Sequence, residues 1–136
     1  MVTIDDVREL AWTLPRSEVV FVRGRVKFRV GSIVWLAFSH DETEMGFAFP
    51  KEWRQALVDS DPEKFFMPRR SDLRFNWAEV RLAAIDGDEI QIHVAPVLLG
   101  GGVRLFGELG ATPPKVELVR VIESPGATHL RYRIVR

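Results

Sequence analysis

Arg23, Arg25, Lys27 and Arg29 recur at every second position. On an extended strand, residues two apart share a face. Arg25, Lys27 and Arg29 would therefore project together, opposite Val26, Phe28 and Val30. Arg69, Arg70 and Arg74 make a second basic cluster. Together the two clusters could grip phosphates. The alternative is a solvated strand face paired to nearby carboxylates.

Other chemistry-bearing residues point to less. Trp12, Trp35, Trp53 and Trp77 could stack on bases, but aromatics at helical or strand spacing are read as core. Gly100-Gly101-Gly102 lacks the G-x-G-x-x-G spacing and has no Walker lysine, so it reads as a turn. His40, His93 and His129 share no metal-ligand spacing and read as unrelated placements on strands and loops. Asp5-Asp6 and Asp86/Asp88 suit a helix cap and a turn. No nucleophile-elbow pattern occurs, and zero cysteines exclude disulfides, cysteine-based zinc sites and a cysteine nucleophile. No catalytic constellation emerges. The expectation is a non-enzymatic protein without cofactor or metal.

The elements that must position these residues can be read from periodicity. Thr3 is placed to cap a helix whose apolar residues are Ile4, Val7, Leu10, Ala11 and Leu14, and Pro15 ends it. From Val19 to Phe49 the period becomes two. Gly31-Ser32 predicts a type II′ hairpin turn before Ile33–Phe38, and Ser39–Thr43 predicts a second turn before Met45–Phe49.

Further along, Pro50 can open a helix with Trp53, Ala56 and Leu57 on its apolar face. Ser60-Asp61-Pro62-Glu63 predicts another cap and a helical turn through Phe65 and Phe66. Met67–Asn76 reads as a loop and Trp77–Leu82 as a strand. Asp86-Gly87-Asp88 predicts a turn. Glu89–Leu99 reads as a strand with Pro96 near its end. Val103–Leu109 would hold one helical turn. Lys115–Glu123 and Ala127–Val135 would be strands joined at Ser124-Pro125-Gly126, where Pro-Gly fits a type II turn.

The chain has 136 residues, 46% of them apolar and 28% charged, which suits one domain with an ordinary surface. Its 19 Lys and Arg balance 19 Asp and Glu. The balance holds in both parts, with 13 of each sign before Asp86 and 6 of each from there on. Neither part has a global steering field for nucleic acid, so anion binding must be local. The stretch Met1–Trp12 is interrupted by Asp5, Asp6, Arg8 and Glu9, and no apolar run is long enough to span a bilayer. A cytoplasmic protein without membrane contact is expected.

Two resemblances add to this. Val2 to Ala11, Leu14-Pro15, Gly24 to Gly31, Asp61 to Phe66, Trp77 to Leu82 and Asp88-Glu89 occur in the order found in the MmcQ/YjbR family. Residues 2 to about 89 thus resemble that family. It implies a small cytoplasmic α+β fold of the double-wing or CyaY (frataxin)-like kind, and an inferred DNA-binding role without settled catalytic residues. The family pattern continues from Asp-Glu into an amphipathic helix, whereas Ile90–Val94 here reads as strand.

Residues 86 to 136 are similar to something else. Asp88 to Phe106, Val116 to Val121 and His129 to Arg133 look like the last third of the dihydrofolate-reductase-like domain of riboflavin-biosynthesis reductases (RibD C-terminal). The upstream segments that build that family's NADPH site are absent from this sequence.

The combined expectation is a single α+β domain over 1–136, with an antiparallel sheet, an N-terminal helix, a mid-chain helix pair and a C-terminal β-hairpin. Residues 1–88 form the MmcQ/YjbR-like part and 89–136 the reductase-like β extension. The leading function is binding of DNA or another anion through Arg25, Lys27, Arg29, Arg69, Arg70 and Arg74. The rivals are a remnant of an NADPH-dependent reductase and a structural or oligomerisation module. In the last, Leu130–Val135 would be an edge strand pairing with a second copy.

Overall fold

The structure is a computed structural model that describes residues 2–98, 100–101 and 110–135. Among the described residues it is α+β, with two α-helices and antiparallel sheets. The chain divides into two compact units, Met1–Gly87 and Asp88–Arg136. No helix among the described residues is long and apolar enough to cross a membrane.

In the first unit, helix α1 spans Ile4–Thr13. Thr3 and Asp6 form a capping box, so two first-turn amides are satisfied by side chains. The strands β1 (Glu18–Val22), β2 (Arg25–Val30), β3 (Ile33–Phe38) and β4 (Glu44–Ala48) follow. Helix α2 (Arg54–Ser60), β5 (Phe65–Phe66) and β6 (Trp77–Arg81) complete a six-stranded sheet in the order β1-β2-β3-β4-β6-β5. Gly31 has φ 60° while Ser32 keeps an ordinary backbone, in keeping with the type II′ turn expected there.

One row of that sheet explains the core. Phe28 pairs with Leu36, Leu36 with Phe47 and Phe47 with Ala78, so these four share a face. Ala11 of α1 packs with Phe28, Leu36 and Phe38. Leu57 of α2 packs with Phe65, Ala78 and Val80. Both helices therefore cover the apolar face, and each fully buried Phe or Leu contributes about 2–3 kcal/mol. A bulge at Trp35 lets its ring meet Phe28 at 5.9 Å on the core side. Trp12 and Trp77 differ from the core expectation: Trp12 is 64% exposed, and Trp77 lies on the face of the sheet opposite Ala78 and Phe47.

The mid-chain helix pair is replaced by one helix and a turn. Phe65 and Phe66 form β5, not a helical turn. Asp61 accepts from the Lys64 and Phe65 amides, closing a tight turn, and the two phenylalanines then pair with Val80 and Glu79 on β6. Two apolar residues cannot fill a helical stripe, whereas this pairing buries Phe65. Helix α2 also starts later than Pro50, because residues 50–54 make shorter-range turns ahead of it.

In the second unit, β7 (Glu89–Val94), β8 (Lys115–Ser124) and β9 (Ala127–Val135) form a three-stranded sheet in the order β7-β9-β8. Residues 89–94 are thus strand, as their Ile-rich pattern suggests, but in a sheet of their own. The strand ends at Val94, before Pro96. Gly126 has φ 88°, which suits the second central position of a type II turn. The expected edge strand Leu130–Val135 is corrected: β9 lies between β7 and β8 and is hydrogen-bonded on both sides. Gly102 and the helical turn expected at Val103–Leu109 lie outside the described residues.

Candidate functional site

Strand alternation places the functional face opposite the core. Lys27 pairs with Ala37, Ala37 with Gly46 and Gly46 with Glu79. This row runs from a cation to a carboxylate across Ala37 and Gly46, and the Trp77 indole lying over Gly46 walls a hollow on the sheet. The resulting cavity is about 850 Å³. Arg25 and Lys27 of β2, Arg69 and Phe75 of the 67–76 segment, and Trp77 and Glu79 of β6 line it.

Gly46 is there because Trp77 lies on it. A Cβ at position 46 would come within 2.6 Å of Cε2 and 2.7 Å of Cζ2 of the indole. The Gly46→Val variant should lose about 2 kcal/mol, the cost of overpacking, and should displace Trp77. Denaturant unfolding followed by tryptophan emission checks both.

Arg54 fixes the other wall. It is only 5% exposed. Its Nη1 donates to the carbonyls of Phe75 at 3.2 Å and Trp77 at 2.9 Å, and its Nη2 to that of Leu73 at 3.0 Å. A guanidinium is suited to this because its donors are rigidly planar and permanently charged. Arg54 thereby ties α2 to the segment that presents Phe75 and Trp77.

The cavity's charge is mixed. Glu44, Asp72 and Glu79 line it together with Arg25, Lys27 and Arg69. Burial, and then the neighbouring Glu44 carboxylate, holds the Glu79 carboxyl above its ordinary range, against the opposing pull of Arg69. Glu79 therefore takes up a proton earlier than an ordinary glutamate as pH falls, and the cavity becomes more receptive to anions.

The six expected site residues separate. Arg25, Lys27 and Arg69 converge on the cavity. Arg29 shares the strand face but donates to Glu18 at 3.1 Å. Arg74 stacks its guanidinium 4.6 Å above the Phe75 ring. Arg70 is exposed and does not line the cavity. The acidic residues and Arg54 escaped sequence reasoning. The one available signal was Gly46 inside an otherwise apolar strand, a common mark of close approach.

A second cluster was also missed, in the other unit. His93 and His129 are cross-strand partners with their Nδ1 atoms 2.5 Å apart. Ser124 Oγ lies 3.0 Å from His129 Nε2 and donates to the Ala127 carbonyl. Since that hydroxyl proton is committed, His129 Nε2–H donates to Ser124, and His129 Nδ1 accepts from His93 Nδ1–H. Among the described residues, no group of three or more His, Asp or Glu is placed to hold a metal ion.

No family model matches the sequence, and no curated protein does. Among solved structures, the chain is similar to the Deinococcus radiodurans protein DR2400, which carries a DUF419 family-model domain. The TM-score is 0.53 and the identity 21%, over 60% of this chain and 64% of that one. The chain thus spans less than two thirds of that protein's length. At this identity the likeness is one of fold: the chain shares its α+β, antiparallel-sheet architecture with a DUF419-domain protein.

Proposed function

We propose that this protein is a non-enzymatic member of the MmcQ/YjbR-like proteins that binds phosphate-bearing ligands with a planar base, and that single-stranded DNA is its macromolecular partner. The carrying observation is the convergence of Arg25, Lys27 and Arg69 on one cavity walled by Phe75 and Trp77. Cations suit the phosphate and the aromatics suit the base, by a stacking contribution of about 1–3 kcal/mol per base. Glu44 and Glu79 supply acceptors for exocyclic amines. A hollow of this kind suits one splayed nucleotide better than the continuous backbone of a duplex, which would meet the three carboxylates. The family reading is supported by the DUF419 neighbour, itself MmcQ/YjbR-like, and by the sequence resemblance of residues 2–89.

Anisotropy titration with a labelled single-stranded oligonucleotide at several salt concentrations tests this. Three phosphate-facing cations give a slope of about −2 in log K against log salt, at about 0.7 per contact. Lys27→Ala should weaken binding several-fold and flatten the slope by about 0.7. Salt-independent binding, or none at micromolar protein, contradicts the proposal. NADPH belongs in the same experiment because residues 86–136 resemble the reductase domain. An NADPH response that Lys27→Ala leaves unchanged, with no DNA binding beside it, would lie outside the cavity and replace the DNA reading.

A further inference from the structure

We propose that β8 is an association edge and that its partner is β8 of a second copy, paired antiparallel about a twofold axis between Leu118 and Val119. Strand β8 is ten residues long, and among the described residues it is hydrogen-bonded to β9 on one side only. Its Val116, Leu118, Val119 and Val121 are 45–55% exposed. Edges are ordinarily protected by shortness, proline, bulges or inward charge; β8 is long and proline-free, and its one bulge is accommodated by the twofold pairing. The other edge of this sheet, β7, is shorter and mostly half-buried.

The register follows from a parity argument. Residues directly opposite each other in an antiparallel pair lie on the same face. In a regular strand paired with its own copy, the two facing positions must then differ by an even number. The register of β8 against β9 shifts between Leu118 and Arg120, so Val119 is the extra residue of a bulge. The bulge restores alternation one residue later. Val116, Leu118 and Val121 lie on the face of Ile134, Tyr132 and Leu130, while Glu117 and Arg120 lie on the face of Arg133 and Arg131. Positions that differ by an odd number across the bulge therefore share a face. A twofold axis between Leu118 and Val119 uses this: it sets Val116 against Val121 of the second copy, and Glu117 against Arg120 of the second copy, each twice.

The charges support the same register. Within one copy Arg120 stands directly opposite Arg131, and Glu117 opposite Arg133. Among the described residues, neither Glu117 nor Arg120 makes an ion pair. In the paired edge, Glu117 of the second copy brings a carboxylate to Arg120. Joining the two edges also extends the apolar face across the axis.

Sedimentation equilibrium with a charge-swap series tests this. The native chain is expected to dimerise, Glu117→Arg to weaken the dimer at least tenfold, and Glu117→Arg combined with Arg120→Glu to restore it. Circular dichroism verifies that each variant is folded. If Glu117→Arg is not, Arg120→Glu alone takes its place and should weaken the dimer likewise, since it sets Glu117 of the second copy against a carboxylate. A native monomer at 100 µM (about the upper range of such experiments), a dimer indifferent to the single swap, or a double swap that fails to restore association overturns the proposal.

Discussion

Arg54→Ala should cost about 3 kcal/mol of stability and abolish binding at the cavity. The side chain is buried and donates three hydrogen bonds to the carbonyls of Leu73, Phe75 and Trp77. The three bonds are only part-buried, so water can reach the freed carbonyls and each loss falls at the low end of the range, about 1 kcal/mol. The loss is local first, because those carbonyls belong to the segment that places Phe75 and Trp77. Arg54→Lys keeps the charge but offers one point donor in place of a fork, so it should restore only part of the stability. Urea unfolding measures the first effect and nucleotide titration the second. A variant with native stability and native affinity would mean that the 73–77 segment holds its shape without this arginine.

Acidification should loosen the small sheet while leaving the large one intact. Burial, then the neighbouring His129, pushes the His93 imidazole down to about 4. Burial also lowers His129. In the unfolded chain both titrate near 6.5. Between pH 6.5 and about 4 the unfolded chain binds protons that the folded unit refuses, so stability is full above 6.5 and is lost as pH falls toward 4. Partial solvent access to His93 screens the effect, leaving about 2 kcal/mol. Amide exchange in β7 and β9, corrected for its intrinsic pH dependence, should speed up about 30-fold at pH 4.5 relative to pH 7.5. His93→Gln should flatten that response. A pH-independent exchange rate in the native chain would contradict the neutral His93–His129 pair.

Much of the architecture was legible because it rests on local signals. Thr3, Asp6 and Pro15 bound α1, and Gly31 and Gly126 mark their turns. The alternation of Val26 and Phe28 with Lys27 assigns faces to β2. Phe65 and Phe66 misled because a capping pattern precedes them, and tertiary pairing with β6 then overrode it. β9 lies inside its sheet because it pairs with β7, which is distant in sequence, and no local signal reports that pairing.

The site was legible in part for the same reason. Arg25 and Lys27 follow from strand period. Arg69 can be told from Arg70 only by where the loop runs. Arg54 lies in a helix whose apolar face is defined by Trp53, Ala56 and Leu57, so nothing local marks it as buried. His93 and His129 become neighbours only through strand register, and spacing in sequence carries no trace of that.

The most direct test of the nucleotide-binding cavity is a side-by-side anisotropy titration of one labelled single-stranded oligonucleotide with Lys27→Ala and Arg70→Ala. Both variants remove one positive charge, but only Lys27 lines the hollow. The cavity predicts a several-fold loss for Lys27→Ala and near-native affinity for Arg70→Ala. Equal losses would show that the surface attracts DNA by charge alone and would contradict a site built from Arg25, Lys27, Arg69, Phe75 and Trp77.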